Sequence, residues 1–88
     1  MKTEYRESFQ KDLLRITDKK LLSRIASEIK SIEDAKSLAQ ISNLKRLRGR
    51  GNYFRIKVGD YRLGIIVRSD AAIFVRCLHR KEIYRYFP

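Results

Sequence analysis

The run Tyr53-Phe54-Arg55-Ile56-Lys57-Val58-Gly59-Asp60-Tyr61-Arg62-Leu63-Gly64-Ile65-Ile66-Val67 decides the fold. Phe54, Ile56 and Val58 alternate with Arg55 and Lys57. Beyond Gly59-Asp60 the alternation resumes, with Tyr61, Leu63, Ile65 and Val67 on one parity. Two period-two runs joined by a Gly-X pair predict a β-hairpin with a type I′ or II′ turn. A two-residue turn fixes the register. Val58 pairs with Tyr61, Lys57 with Arg62, Ile56 with Leu63, Arg55 with Gly64 and Phe54 with Ile65. Side chains alternate between faces of a strand. One face therefore collects the apolar residues, and the other collects Arg55, Lys57 and Arg62.

A second turn at Ser69-Asp70 leads into a third strand, Ile73 to His79, which completes an antiparallel meander. Arg76, Leu78 and Arg80 share one parity of this strand, and Ile73, Val75, Cys77 and His79 share the other. Placing the second set on the core face puts Arg76 and Arg80 with the cations. Upstream, the period changes. Phe9, Leu13 and Ile16, broadened by Leu14, recur at helical spacing, as do Leu21, Leu22, Ile25, Ile29 and Ile32. Thr17 and Asp18 are N-cap types and divide the two helices. Lys2 to Tyr5 fits a brief strand, and Ser37 to Ile41 a short helical turn. Residues 34–51 read as a connector ending in the basic, glycine-bearing stretch Lys45-Arg46-Leu47-Arg48-Gly49-Arg50-Gly51. The fold class is α+β, with the N-terminal strand and the meander packed against two N-terminal helices in one domain, residues 1–88.

The chain has 88 residues, with 21 Lys and Arg against 10 Asp and Glu, a formal net charge of +11. Such a length allows one small core and excludes a two-lobed cofactor enzyme. The charge points to a polyanion partner. It is also unevenly spread. Residues 1–43 carry nine basic and seven acidic residues, and residues 44–88 carry twelve and three. One cysteine, Cys77, excludes an internal disulfide and suits a cytoplasmic protein. No apolar stretch follows Lys2 and the longest apolar runs, such as Gly64-Ile65-Ile66-Val67, are too short to cross a bilayer, so the expectation is a chain without a secretory signal or membrane span.

Lys57 opposite Arg62 is a like-charge cross-strand pair, which is unfavourable on its own. Three cations on one sheet face make sense with an anion against them. Tyr84 and Tyr86 follow closely in Arg80-Lys81-Glu82-Ile83-Tyr84-Arg85-Tyr86, and basic groups beside aromatic rings suit phosphate contact with base stacking. His79 is the lone histidine, a candidate acid or base or simply a packed strand-end residue. The second half holds only Asp60, Asp70 and Glu82 as acids, with no carboxylate cluster for a metal, so the expectation is chemistry without metal or cofactor.

In order and spacing, the helix pair, Leu44-Lys45-Arg46-Leu47-Arg48-Gly49, the Tyr53–Leu63 hairpin and Phe74-Val75-Arg76-Cys77-Leu78-His79-Arg80-Lys81-Glu82-Ile83-Tyr84-Arg85 resemble the RelE/ParE superfamily of type II toxin–antitoxin toxins, on the RelE side. The resemblance spans essentially the whole chain. It implies a ribosome-dependent endoribonuclease that cuts mRNA in the A site, the ribose 2′-OH attacking the adjacent phosphate without metal. It implies a cognate antitoxin, the ribosome and mRNA as partners. The family's catalytic positions fall on Arg55, Lys57, Arg62, Arg80 and Tyr84, with His79 as a further candidate. Lys45, Arg46, Arg48, Arg50, Arg76, Lys81 and Arg85 are then expected to bind RNA or the ribosome. Some RelE members carry Lys where Arg55 stands. Arginine barely deprotonates, which moves a base role to Lys57 or leaves the work to electrostatics. Two other readings stay open: a ParE-like inhibitor of DNA gyrase, and a nucleic-acid-binding relative without catalysis.

Overall fold

The hairpin forms with the register that a two-residue turn dictates. In a computed structural model, which describes every residue except Arg48 and Arg50, β3 (Tyr53–Val58) pairs with β4 (Tyr61–Arg68), Val58 opposite Tyr61 through Phe54 opposite Ile65. Gly59 takes φ +58° and Asp60 keeps a negative φ, the sign pattern of a type II′ turn. β5 (Ala71–His79) continues the meander on β4. β1 (Lys2–Tyr5) lies parallel to β5 on its far side. The sheet has five strands in the order β1-β5-β4-β3-β2.

The fifth strand corrects the sequence reading. Leu44–Arg46, expected within a connector, form β2 and pair antiparallel with β3, Lys45 opposite Arg55. The 3-10 turn Leu38–Gln40 falls where a short helical turn was expected. The chain then ends in a four-residue helix, α3 (Ile83–Tyr86).

A register shift between Gly64 and Ile65 sets Gly64 opposite Arg76 and Ile65 opposite Phe74, so Val75 is the extra residue of a β-bulge. One inserted residue flips side-chain parity. Ala72 and Phe74 therefore enter the core, and Cys77 joins them beyond the bulge. Ile73, expected on the core face, sits opposite Ile66 on the outer face instead. Alternation alone carries no signal for an inserted residue.

α1 (Glu7–Leu14) and α2 (Lys19–Asp34) cover the inner face. Asp18 caps α2 by accepting from the N–H groups of Lys20 and Leu21, at 3.0 and 3.2 Å, which satisfies donors a helix start leaves free. Ile25 and Ile32 are buried and Leu21 and Ile29 pack beside them, the stripe the spacing predicted. On α1 and just beyond it, Phe9 is buried and Leu13 and Ile16 pack against the core as the spacing predicted, and only Leu14 departs from the expected stripe. Leu14 is 84% exposed, while Asp12 is only 5% exposed. On the outer face, Gly64 has no side chain to keep off Phe87, and a Cβ there would lie 2.7 Å from the Phe87 ring. Phe87 also meets Tyr53 edge-on at 5.7 Å. The C-terminal segment thus covers part of the outer face and leaves the part nearer the β3–β4 turn open.

Candidate phosphate-binding face

Two rows of side chains run across the outer face, the first passing beneath the C-terminal segment at Gly64. Lys45, Arg55, Gly64 and Arg76 make one row through successive strand pairings, and Lys57, Arg62 and Leu78 make the next. Two like-charge pairs stand directly opposed, Lys45 with Arg55 and Lys57 with Arg62. Among the described residues none of these four cations forms an ion pair. Arg62 is aimed by the backbone: its Nη1 donates to the carbonyl oxygens of Gly59 and Tyr61, both at 2.9 Å. Its Nε and Nη2 groups keep the fork that suits a phosphate. Among the described residues, the Arg55 Nε is buried without a hydrogen-bond partner. A buried N–H with no acceptor is costly, and a water or a bound anion is among the groups that can satisfy it.

Tyr84, 61% exposed, flanks this face from α3. It lines a cavity of about 300 Å³ with Lys45, Arg46, Leu47 and Pro88. Arg46 lies with its guanidinium 5.7 Å from the Phe54 ring and donates to Gly51 O at 3.0 Å. Arg80 leans to the hairpin turn, with Nε 3.9 Å from the Asp60 carboxylate. Both groups are largely exposed, so this pair restrains Arg80 weakly. Lys81 is exposed, and Arg85 faces Glu82 at 3.8 Å. Arg48 and Arg50 lie outside the described residues.

Two of the expected residues stand apart. His79 pairs with Tyr61 on the helix-facing side and meets its ring edge-on at 5.7 Å. Its Nδ1 accepts from the Lys81 N–H at 3.1 Å. Arg76 is already engaged. Its Nε and Nη2 donate to the two Asp12 oxygens at 2.8 and 3.1 Å, and its guanidinium lies 5.4 Å from the Tyr86 ring. The Asp12 hydrogen bonds raise the Arg76 pKa further above its ordinary value. Asp12 also accepts from the Cys77 N–H at 2.9 Å. It ties α1 to the stretch of β5 beyond the end of β1. Sequence reasoning missed Asp12, whose partners lie more than sixty residues away.

Residues 3–84 match the family model described as "ParE toxin of type II toxin-antitoxin system, parDE". Over 89 aligned residues, covering 100% of both chains, the sequence is 42% identical to the toxin RelE3 of Methanocaldococcus jannaschii. The chain is a toxin of the RelE/ParE family. In a crystal structure of a RelB-RelE antitoxin-toxin complex from Methanococcus jannaschii, the matching chain is 40% identical, with a TM-score of 0.81 over 97% of this toxin and 99% of that chain. An archaeal RelE-RelB complex from Pyrococcus horikoshii OT3 contains a chain with the same fold at 17% identity, TM-score 0.74, over 93% of this toxin and 97% of that chain. Among the toxin's described residues, no helix is long and apolar enough to cross a membrane.

Proposed function

We propose that the toxin is a ribosome-dependent endoribonuclease of the RelE type that cuts mRNA in the A site, in the cytoplasm. The observation carrying this reading is the grid of Arg55, Lys57 and Arg62 on one sheet face, without an ion pair among the described residues and with the exposed Tyr84 beside it. In the reaction the ribose 2′-oxygen bonds to the adjacent phosphorus and the bond from phosphorus to the 5′-oxygen breaks. The 2′-OH proton leaves, and the 5′-oxygen takes one up. Arg55 and Arg62 hold the charge that builds on the phosphorane, the kind of preorganised stabilisation worth about 10²–10³ in rate per donor. Lys57 favours the ionised 2′-oxygen or accepts its proton, since a lysine deprotonates where an arginine does not. Arg80 neutralises the leaving oxygen, and Tyr84 stacks on a base. His79, on the opposite face, is poorly placed for the leaving group.

Primer extension on mRNA from cells expressing the toxin tests this. Cuts within translated codons are expected, and Lys57→Ala and Arg62→Ala should each lower them about 10²–10³-fold. Intact mRNA with altered plasmid supercoiling would instead favour gyrase inhibition, the second reading, which the ParE family model supports. The RelB-RelE complex supports a cognate antitoxin for this toxin too. An acidic segment of that partner laid on the cationic face would relieve its repulsion.

A further inference from the structure

Three guanidinium groups from three separate elements meet at the two-residue turn Gly59-Asp60. Arg62 of β4 donates to the Gly59 carbonyl oxygen at 2.9 Å. Arg80, beyond β5, faces the Asp60 carboxylate at 3.9 Å, and its N–H donates to Asp60 O at 2.7 Å. Arg24 of α2 comes from the helix side, its Nη1 3.0 Å from where a Cβ on Gly59 would be. Glycine suits the φ of +58° here, and a Cβ in its place would meet the movable tip of Arg24. Arg24 is exposed and forms no hydrogen bond or ion pair among the described residues. It rims a cleft of about 420 Å³ between the start of α2 and the turn, with Lys20 beside it and Leu21 and Tyr61 lining it. Two carboxylates stand nearby. Asp18 caps α2, and Asp60 faces Arg80 at 3.9 Å.

We infer that the toxin's RNA-binding surface does not stop at the edge of the sheet but passes around the Gly59-Asp60 turn onto α2, where Arg24 and Lys20 take backbone phosphates. Exposed guanidinium and ammonium groups are phosphate ligands by chemistry, and at the turn the four cations Lys20, Arg24, Arg62 and Arg80 outnumber the two carboxylates, Asp18 and Asp60, beside them. The inference rests on the proposed ribonuclease function for the choice of RNA as the polyanion. The surface would hold RNA whatever its sequence, because phosphate contacts position without reading bases.

The test is binding of an RNA hairpin with 2′-O-methyl riboses, which lacks the attacking hydroxyl and cannot be cut. Wild type should bind it with a steep dependence on salt. Arg24→Gln should weaken binding about five-fold at physiological salt and lower the slope of log K against log salt by just under one unit. Lys36→Gln is the control; this residue lies by Ser69 and Asp70 at the other hairpin turn, and its removal should leave binding unchanged. Equal losses in Arg24→Gln and Lys36→Gln would overturn the inference, because net charge alone would then account for binding. So would failure of wild type to hold the hairpin, or a preference for an acidic peptide over it. A toxin that binds through Arg24 but leaves mRNA whole in cells would end the ribonuclease reading and keep this surface.

Discussion

Asp12 is the residue whose loss would be felt furthest. Its carboxylate is buried and accepts from Arg76 twice and from the Cys77 N–H once. Removing it strands a backbone N–H and a half-buried guanidinium together. Asp12→Ala should lower stability by about 2–4 kcal/mol, read as a fall in the urea midpoint. A loss under about 0.5 kcal/mol would show that water replaces all three bonds. Cys77 sits beside it in the core. Burial, with a smaller contribution from the Asp12 charge, pushes its pKa from 9.0 to about 12. The thiolate is the reactive form, so the folded toxin should resist thiol reagents at pH 8 and react only as it unfolds. The same shift ties stability to pH. Between about pH 9 and 12 the unfolded chain gives up the thiol proton and the folded one keeps it, so stability falls as pH rises through that window. Unfolding curves of wild type and Cys77→Ala should therefore converge toward high pH. Cys77 was legible in the sequence as an inward-facing small residue. Asp12 was not, because a carboxylate beside Leu13 and Leu14 looks like the polar side of an amphipathic helix until β5 is in place. Arg24 escaped for a similar reason, since on α2 alone it is one more solvated cation.

At the scale of elements, the hairpin was fully readable because a two-residue turn leaves one register and alternation leaves one assignment of faces. In the strand after it, the faces were read correctly from Arg76 to His79, beyond the bulge, and wrongly at Ile73, before it. Past Phe74 an extra residue reverses parity, and the pattern Ile73, Val75, Cys77 reads as one face although the structure divides it. β2 was hidden for another reason: three residues with two cations look like a loop until β3 offers its edge. The C-terminal segment was also underrated. Phe87 lies on Gly64, and this contact explains a glycine within a strand, a position where it otherwise weakens the sheet. Gly64→Ala should destabilise the fold by about 1–3 kcal/mol through collision with that ring. In a Phe87→Ala background the same substitution should cost nothing or stabilise, because alanine suits a strand better than glycine. The double-mutant cycle should give a coupling above about 1 kcal/mol. Additivity within about 0.5 kcal/mol would mean that the ring does not rest there.

Over the whole molecule, the excess charge is held in a form that weakens the fold. Nothing in the hairpin requires Lys57 opposite Arg62 or Lys45 opposite Arg55, and opposed like charges each cost a few tenths to about 1 kcal/mol. A sheet face without a ligand would shed them. If the grid is kept for RNA, activity and stability must pull in opposite directions at its centre. Lys57→Thr puts a good strand former there and removes one half of a repulsive pair. It should raise stability by about 0.5 kcal/mol, or about 2–4 °C in Tm for a domain of this size, while mRNA cleavage collapses. Salt separates this from a packing effect. The repulsion is exposed and screened within about 10 Å at 0.1 M ionic strength, so the gain should be largest in dilute buffer and shrink at 1 M salt. A polyanion should raise the Tm of wild type more than that of Lys57→Thr, because it supplies the countercharge that the substitution makes unnecessary. A variant no more stable than wild type in dilute buffer would break the link between the cationic face and its ligand. The two opposed pairs would then be tolerated by side chains long enough to splay apart, and the case for a phosphate site would rest on Arg55 and the aim of Arg62 alone.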